Sequence, residues 1–153
     1  MGVTEKLAEL GLTLPPVVPP VASYVPAVRS GDHVFTSGQL PMVDGALTAT
    51  GKVGAEVSAA DATAAARVCA LNALAAIDAL VGIDSVVRIV KVVGFVASAP
   101  GFTGQPGVIN GASNLLGELF GNAGIHARSA VGVAELPLGA AVEVEMIVEV
   151  APA

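Results

Sequence analysis

The stretch Gly124-Ile-His-Ala-Arg-Ser-Ala-Val-Gly-Val-Ala-Glu-Leu-Pro-Leu-Gly-Ala-Ala-Val-Glu-Val-Glu-Met-Ile-Val-Glu-Val150 decides how the rest of the chain is read. It predicts two strands, Ala127–Val133 and Ala141–Val150, joined by a turn at Leu136-Pro137-Leu138-Gly139. The second strand alternates, with Val142, Val144, Met146, Val148 and Val150 on one face and Glu143, Glu145 and Glu149 on the other, as a period of two requires. The first strand is small or apolar except for Arg128. A lone guanidinium in such a strand either pairs with a carboxylate across the sheet, Glu143 or Glu145, or is held out for an anionic ligand.

Working outward, the 153 residues suffice for one domain with a real core, expected over 1–153. Apolar residues make up 54% and charged ones 13%, against about a quarter charged in an ordinary domain. So little polar surface predicts that part of the apolar surface closes an oligomer. A net charge of −6 with scattered basic residues argues against nucleic-acid partners. The single cysteine, Cys69, excludes an internal disulfide and, with two separated histidines, makes no zinc set. The N-terminus lacks the basic-then-apolar layout of a signal peptide, and prolines and glycines break the long charge-free run Val92–Gly117. A cytoplasmic protein without membrane partners is the expectation.

Residues 1–23 read as a short helix capped by Thr4 and stopped at Gly11, followed by a proline-rich lead-in. Strands are expected at Tyr24–Val28 and His33–Gln39, around the turn Arg29-Ser30-Gly31-Asp32, with a brief edge strand within Val43–Thr50. Ser58 caps a long helix to about Leu80, whose core stripe reads as Val68, Leu71, Leu74, Ala75 and Ile77 or Asp78. Val86–Ser98 is a strand apolar on both faces, and hence buried on both. A second helix ends near Phe120, with Leu115, Leu116, Leu119 and Phe120 inward. The order β-β-α-β-α-β-β predicts an α+β fold, one sheet with two helices on one face.

Ser37-Gly38-Gln39-Leu40-Pro41, Ala127-Arg128-Ser129-Ala130-Val131, Leu136-Pro137 and Val142-Glu143-Val144-Glu145 stand in an order and spacing that resembles the RidA (YjgF) family, also called endoribonuclease L-PSP-like. The resemblance covers roughly Tyr24 to Val150. It implies a chorismate-mutase-like fold assembled as a homotrimeric barrel, with clefts between subunits. It also implies hydrolysis of reactive 2-enamine and 2-imino acids, such as 2-iminobutanoate and 2-iminopropanoate, to 2-keto acids and ammonia, with no metal or organic cofactor. Carried over residue by residue, Arg128 grips the substrate carboxylate, Glu143 positions water, and Tyr24, Gly38 and Asn110 or Asn114 line the substrate. Ala130 replaces the cysteine common in close relatives of the founding member, which bears on substrate range more than on activity.

Each candidate also has a plainer role. Arg128 could be a salt-bridge partner of Glu143, Glu143 a solvated glutamate, Tyr24 a plug at the sheet edge, and Gly38 a turn residue. Cys69 reads as a small buried hydrophobe, and His33 and His126 as surface or interface residues. Gly101–Gly107 lacks the glycine spacing and the lysine of a nucleotide loop. The functional expectation is an imine deaminase. Its alternative is a non-catalytic module that senses small carboxylic acids such as 2-keto acids, and a ribonuclease fits the acidic chain less well.

Overall fold

Two strands that must bury one face, and two helices with apolar stripes to bury against it, leave few ways to pack. The computed structural model describes residues 2–153. After α1 (Val3–Glu9) and the lead-in come β1 (Ala27–Ser30), β2 (His33–Thr36), and a small separate ribbon of β3 (Met42–Val43) and β4 (Ala46–Leu47). Then follow α2 (Ala59–Val81), β5 (Val86–Ala97), α3 (Gln105–Phe120), β6 (Ala127–Val133) and β7 (Val142–Val150). The main sheet has the order β1-β2-β7-β5-β6, antiparallel except for the β5–β6 pair. It is the α+β architecture expected, with α2 and α3 packed together over one face.

That face is built from Val34, Ile89, Val92, Val96, Val142, Val144 and Val148, all fully buried. The opposite face carries Val28, Phe35 and Val131, each between 44% and 52% exposed. Among the described residues no element covers it.

Local signals were obeyed where the partner was local. Ser58 Oγ accepts the Asp61 N–H at 3.1 Å and starts α2, and Gly82, at φ 80°, stops it. Gly31, at φ 59°, turns the β1–β2 hairpin. Thr4 does not cap α1. Gly2 stands at that position, and Thr4 sends its N–H (3.0 Å) and hydroxyl (2.6 Å) to the Asp84 carboxylate. The anion that the helix N-terminus favours thus comes from 80 residues away. Those bonds, the hydroxyl's first, hold the Asp84 carboxyl below its usual range.

The stripe expected on α2 is also corrected. Ala62, Ala66, Cys69, Ala73, Leu74 and Ile77 are fully buried, whereas Val68 and Leu71 are half-buried and Asp78 is exposed. Val68 and Leu71 instead line a cleft of about 420 Å³ beneath the lead-in, with Thr13, Pro16, Met42 and Asp44. By length and composition α2 could cross a membrane, yet its alanine face forms the core. Alanine lets α2 and α3 approach closely, and a Cβ on Gly111 would meet the backbone oxygen of Thr63. Phe120 is only partly buried.

Candidate active site

The sheet register decides where the two candidate catalytic side chains point. Val92 of β5 lies opposite Arg128 of β6 on one side and Met146 of β7 on the other. Residues so paired share a face, and this one is covered by the helices. Phe95 pairs with Val131 and Glu143, which therefore share the open face. Arg128 and Glu143 of one protomer point to opposite sides of the sheet. Within one protomer Arg128 forms no salt bridge, because no carboxylate among the described residues lies within ion-pair distance of it.

Arg128 is half-buried against α3 and held by neutral acceptors only. Its Nη1 donates to Asn110 Oδ1 at 2.8 Å and to Ser113 Oγ at 3.2 Å, and its Nη2 to the Pro106 carbonyl at 3.2 Å. Asn110 and Ser113, three apart on α3, project from the same helix face. Of the two asparagines considered, Asn110 bonds the guanidinium, whereas Asn114 does not. Three of the five guanidinium N–H groups are thereby engaged. The Nε–H and one Nη2 hydrogen have no partner among the described residues, and Nε and Nη2 share one edge of the planar group. A carboxylate fits such an edge with two parallel bonds.

Across the sheet, Glu143, Gly38 and Tyr24 line one small cleft with Val18, Pro20 and Pro137. Ser37 ties the lead-in to this point, its N–H bonding Pro26 O at 2.8 Å and its hydroxyl Val25 O at 2.6 Å. Gln39 and Val144 exchange backbone bonds at 2.8 and 3.0 Å, which sets Gly38 directly over Glu143. An added Cβ on Gly38 would stand 2.5 Å from Glu143 Oε2. Gly38 is therefore glycine for space rather than for a left-handed turn. Tyr24 precedes β1 instead of belonging to it, since Pro26 delays the pairing, and its hydroxyl accepts the Val21 N–H at 3.2 Å. Burial among these apolar groups, and then the charge of Glu145 next along the strand, push the Glu143 carboxyl above its ordinary range. The cleft measures only about 50 Å³, room for a few waters.

Two participants escaped the sequence reading. Asn72, buried in the alanine-rich helix α2, donates to the carbonyls of Leu40 and Met42, both at 3.0 Å, and so anchors the loop that carries Gly38. A single amide in a run of alanines was the signal for it. His126, expected at the surface or at an interface, is half-buried, with Nε2 2.9 Å from Ser113 Oγ and Nδ1 2.6 Å from the Gly124 carbonyl. Its position two residues before Arg128 on an extended segment puts both on one face. His33 is exposed at the hairpin, and Cys69 is fully buried, its thiol pushed far up by burial first and the Glu143 charge second.

Comparison with known proteins agrees with this architecture. The family profile described as "YjgF/chorismate mutase-like, putative endoribonuclease" matches residues 4–150. Protein TCP17 of Trypanosoma cruzi is 47% identical over 149 residues, covering 96% of this chain and 93% of its own. The crystal structure of Atu1372 from Agrobacterium tumefaciens superposes with a TM-score of 0.88 at 46% identity, over 97% of this chain and 91% of that one. TdcF of E. coli, solved with bound serine, superposes with a TM-score of 0.65 at 26% identity, over 90% and 94% of the two chains. With the profile spanning nearly its whole length and a relative 47% identical over 96% of it, this chain belongs to the YjgF (RidA) family.

Proposed function

We propose that this protein hydrolyses reactive 2-imino acids to 2-keto acids and ammonia, in clefts that neighbouring subunits of a homotrimer form together. The observation that carries this is Arg128, a buttressed cation that keeps unpaired N–H donors on Nε and Nη2 and has no carboxylate partner among the described residues. The substrate carboxylate would take those donors. Glu143 of a neighbouring subunit would accept a proton from water as the oxygen adds to the electrophilic C=N carbon. It would then return that proton to the amine of the carbinolamine formed from the protonated imine, and take the hydroxyl proton as the C–N bond breaks, leaving the keto acid and ammonia. A glutamate whose burial raises its proton affinity suits this give and take.

Three features support a shared cleft. Arg128 and Glu143 face opposite sides of one sheet, the Glu143 cleft is too small alone for a four-carbon acid, and the open face bears exposed Val28, Phe35 and Val131. The test is imine disappearance, with the imine generated in situ by an amino-acid oxidase. The wild type should accelerate it and Arg128→Ala should not.

A second reading, a non-catalytic binder of small carboxylic acids, draws on the same arginine edge and on the serine held by TdcF. Saturable binding of 2-oxobutanoate without any turnover of imine would favour it. RNA cleavage fits a chain of net charge −6 poorly.

A further inference from the structure

We infer that Ser113 and His126 are positioning residues for Arg128: a relay in which the imidazole fixes the direction of the serine hydroxyl and the hydroxyl fixes the guanidinium. The inference rests on the carboxylate-binding role proposed above for Arg128.

The proton assignment follows from the partners. The Gly124 carbonyl can only accept, so at 2.6 Å the facing Nδ1 must carry a hydrogen. In the neutral ring Nε2 is then an acceptor, and at 2.9 Å its partner must be the Ser113 O–H. With its only hydrogen committed there, Ser113 Oγ turns lone pairs toward Arg128 Nη1, 3.2 Å away. The opposite tautomer would set the Nδ1 lone pair against the carbonyl oxygen. One direction of donation thus runs from Arg128 through Ser113 and His126 to the Gly124 carbonyl.

The backbone is shaped to make this possible. Gly124 is buried so tightly under α3 that a Cβ there would meet the Leu116 carbonyl oxygen. Its own carbonyl is thereby presented to the ring. Ser113 shares its helix face with Asn110, and His126, just before β6, lies on the same side as Arg128, so four side chains from α3 and this segment converge. Asn110 and Ser113 together fix both hydrogens of Nη1, which sets the rotation of the planar group and hence the aim of the free Nε–Nη2 edge.

The experiment has two readouts. Long-range ¹H–¹⁵N spectra of the wild type should show His126 as the Nδ1–H tautomer, and an Nε2–H tautomer would overturn the relay. In the imine assay, Ser113→Ala should raise KM about tenfold, the loss of roughly one charge-assisted bond's alignment, with kcat within about twofold and Ser113→Thr restoring the wild-type KM. An unchanged KM in folded Ser113→Ala overturns the relay, as does Ser113→Thr behaving like Ser113→Ala. Calorimetric binding of 2-oxobutanoate separates this from the functional reading. If the wild type binds that acid without turning over imine, deamination fails and the relay is scored by Kd in the same variants. If the wild type binds no 2-oxo acid, the role of Arg128 and the relay fall together.

Discussion

Arg128 and Glu143 stand back to back: one sheet separates the guanidinium, held beneath α3, from the carboxylate on the open face. The reaction proposed above would draw them from different subunits. Mixing Arg128→Ala and Glu143→Gln chains, each inactive alone, should therefore regenerate complete clefts. With random assembly about a quarter of them would pair an intact arginine with an intact glutamate. Activity near that fraction after co-refolding is the expected result, and none at all would place both residues in separate functions.

Arg128→Lys keeps the charge but loses the planar edge. Its kcat/KM should fall by ~30- to 150-fold, or roughly 2–3 kcal/mol. Arg128→Ala should fall further, because nothing offsets desolvation of the substrate carboxylate. As Arg128 has no carboxylate partner among the described residues of its own protomer, both variants should melt close to the wild type. A large drop in Tm would show that the arginine is chiefly structural.

Gly38→Ala tests the spacing over Glu143. The new methyl meets the far end of a flexible side chain rather than backbone. The fold should yield there by moving the carboxyl group. We expect kcat to drop by ~10- to 100-fold, as for a misaimed general base, with Tm little changed. Wild-type turnover would mean that Glu143 need not stand where it does.

Acidity supplies a further test. Glu143 must be ionised to take a proton, and its carboxyl is raised, by burial first and by Glu145 second. The acid limb of the pH–rate profile should thus lie above the ordinary glutamate range, and Glu145→Gln should move it to lower pH. Stability has the opposite sense. A carboxyl raised by folding favours the folded state at pH below its unfolded value and loses that contribution as pH rises through the folded value. Glu145 is itself raised by burial. Glu145→Gln should therefore raise Tm at neutral pH, with the gain vanishing in acid. A gain that persists in acid would have another cause.

Gly111→Ala pits a methyl group against backbone. Thr63 O cannot step aside as a side chain can, so α2 and α3 must separate. The expected loss is about 1–3 kcal/mol by denaturant titration. An unchanged midpoint would show that the two helices slide more freely than their packing implies.

Ala127–Val150 is legible in the sequence because its information is local: alternation names the faces, and the lone Arg128 is conspicuous among small residues. The buried face of α2 was illegible for the reverse reason, since alanine occupies the buried face and several exposed positions alike and the periodicity vanishes. Thr4 was misread because its partner, Asp84, lies 80 residues away. The bonds of His126 were not legible because its partners come from the loop and α3 together. The offset of two between His126 and Arg128 held the missing clue, visible only once both were known to face a helix.

The lead-in has a consequence for the entropy of the site. Val18 to Val21 form a wall of the cleft that raises the proton affinity of Glu143, yet they belong to no helix or strand. An ordinary loop would surrender much conformational freedom to stay there. Five prolines between Leu14 and Pro26 remove much of that freedom in advance, in the unfolded chain. The water-excluding surface beside Glu143 is thus preorganised covalently, by ring closure in the backbone, rather than by a ladder of hydrogen bonds.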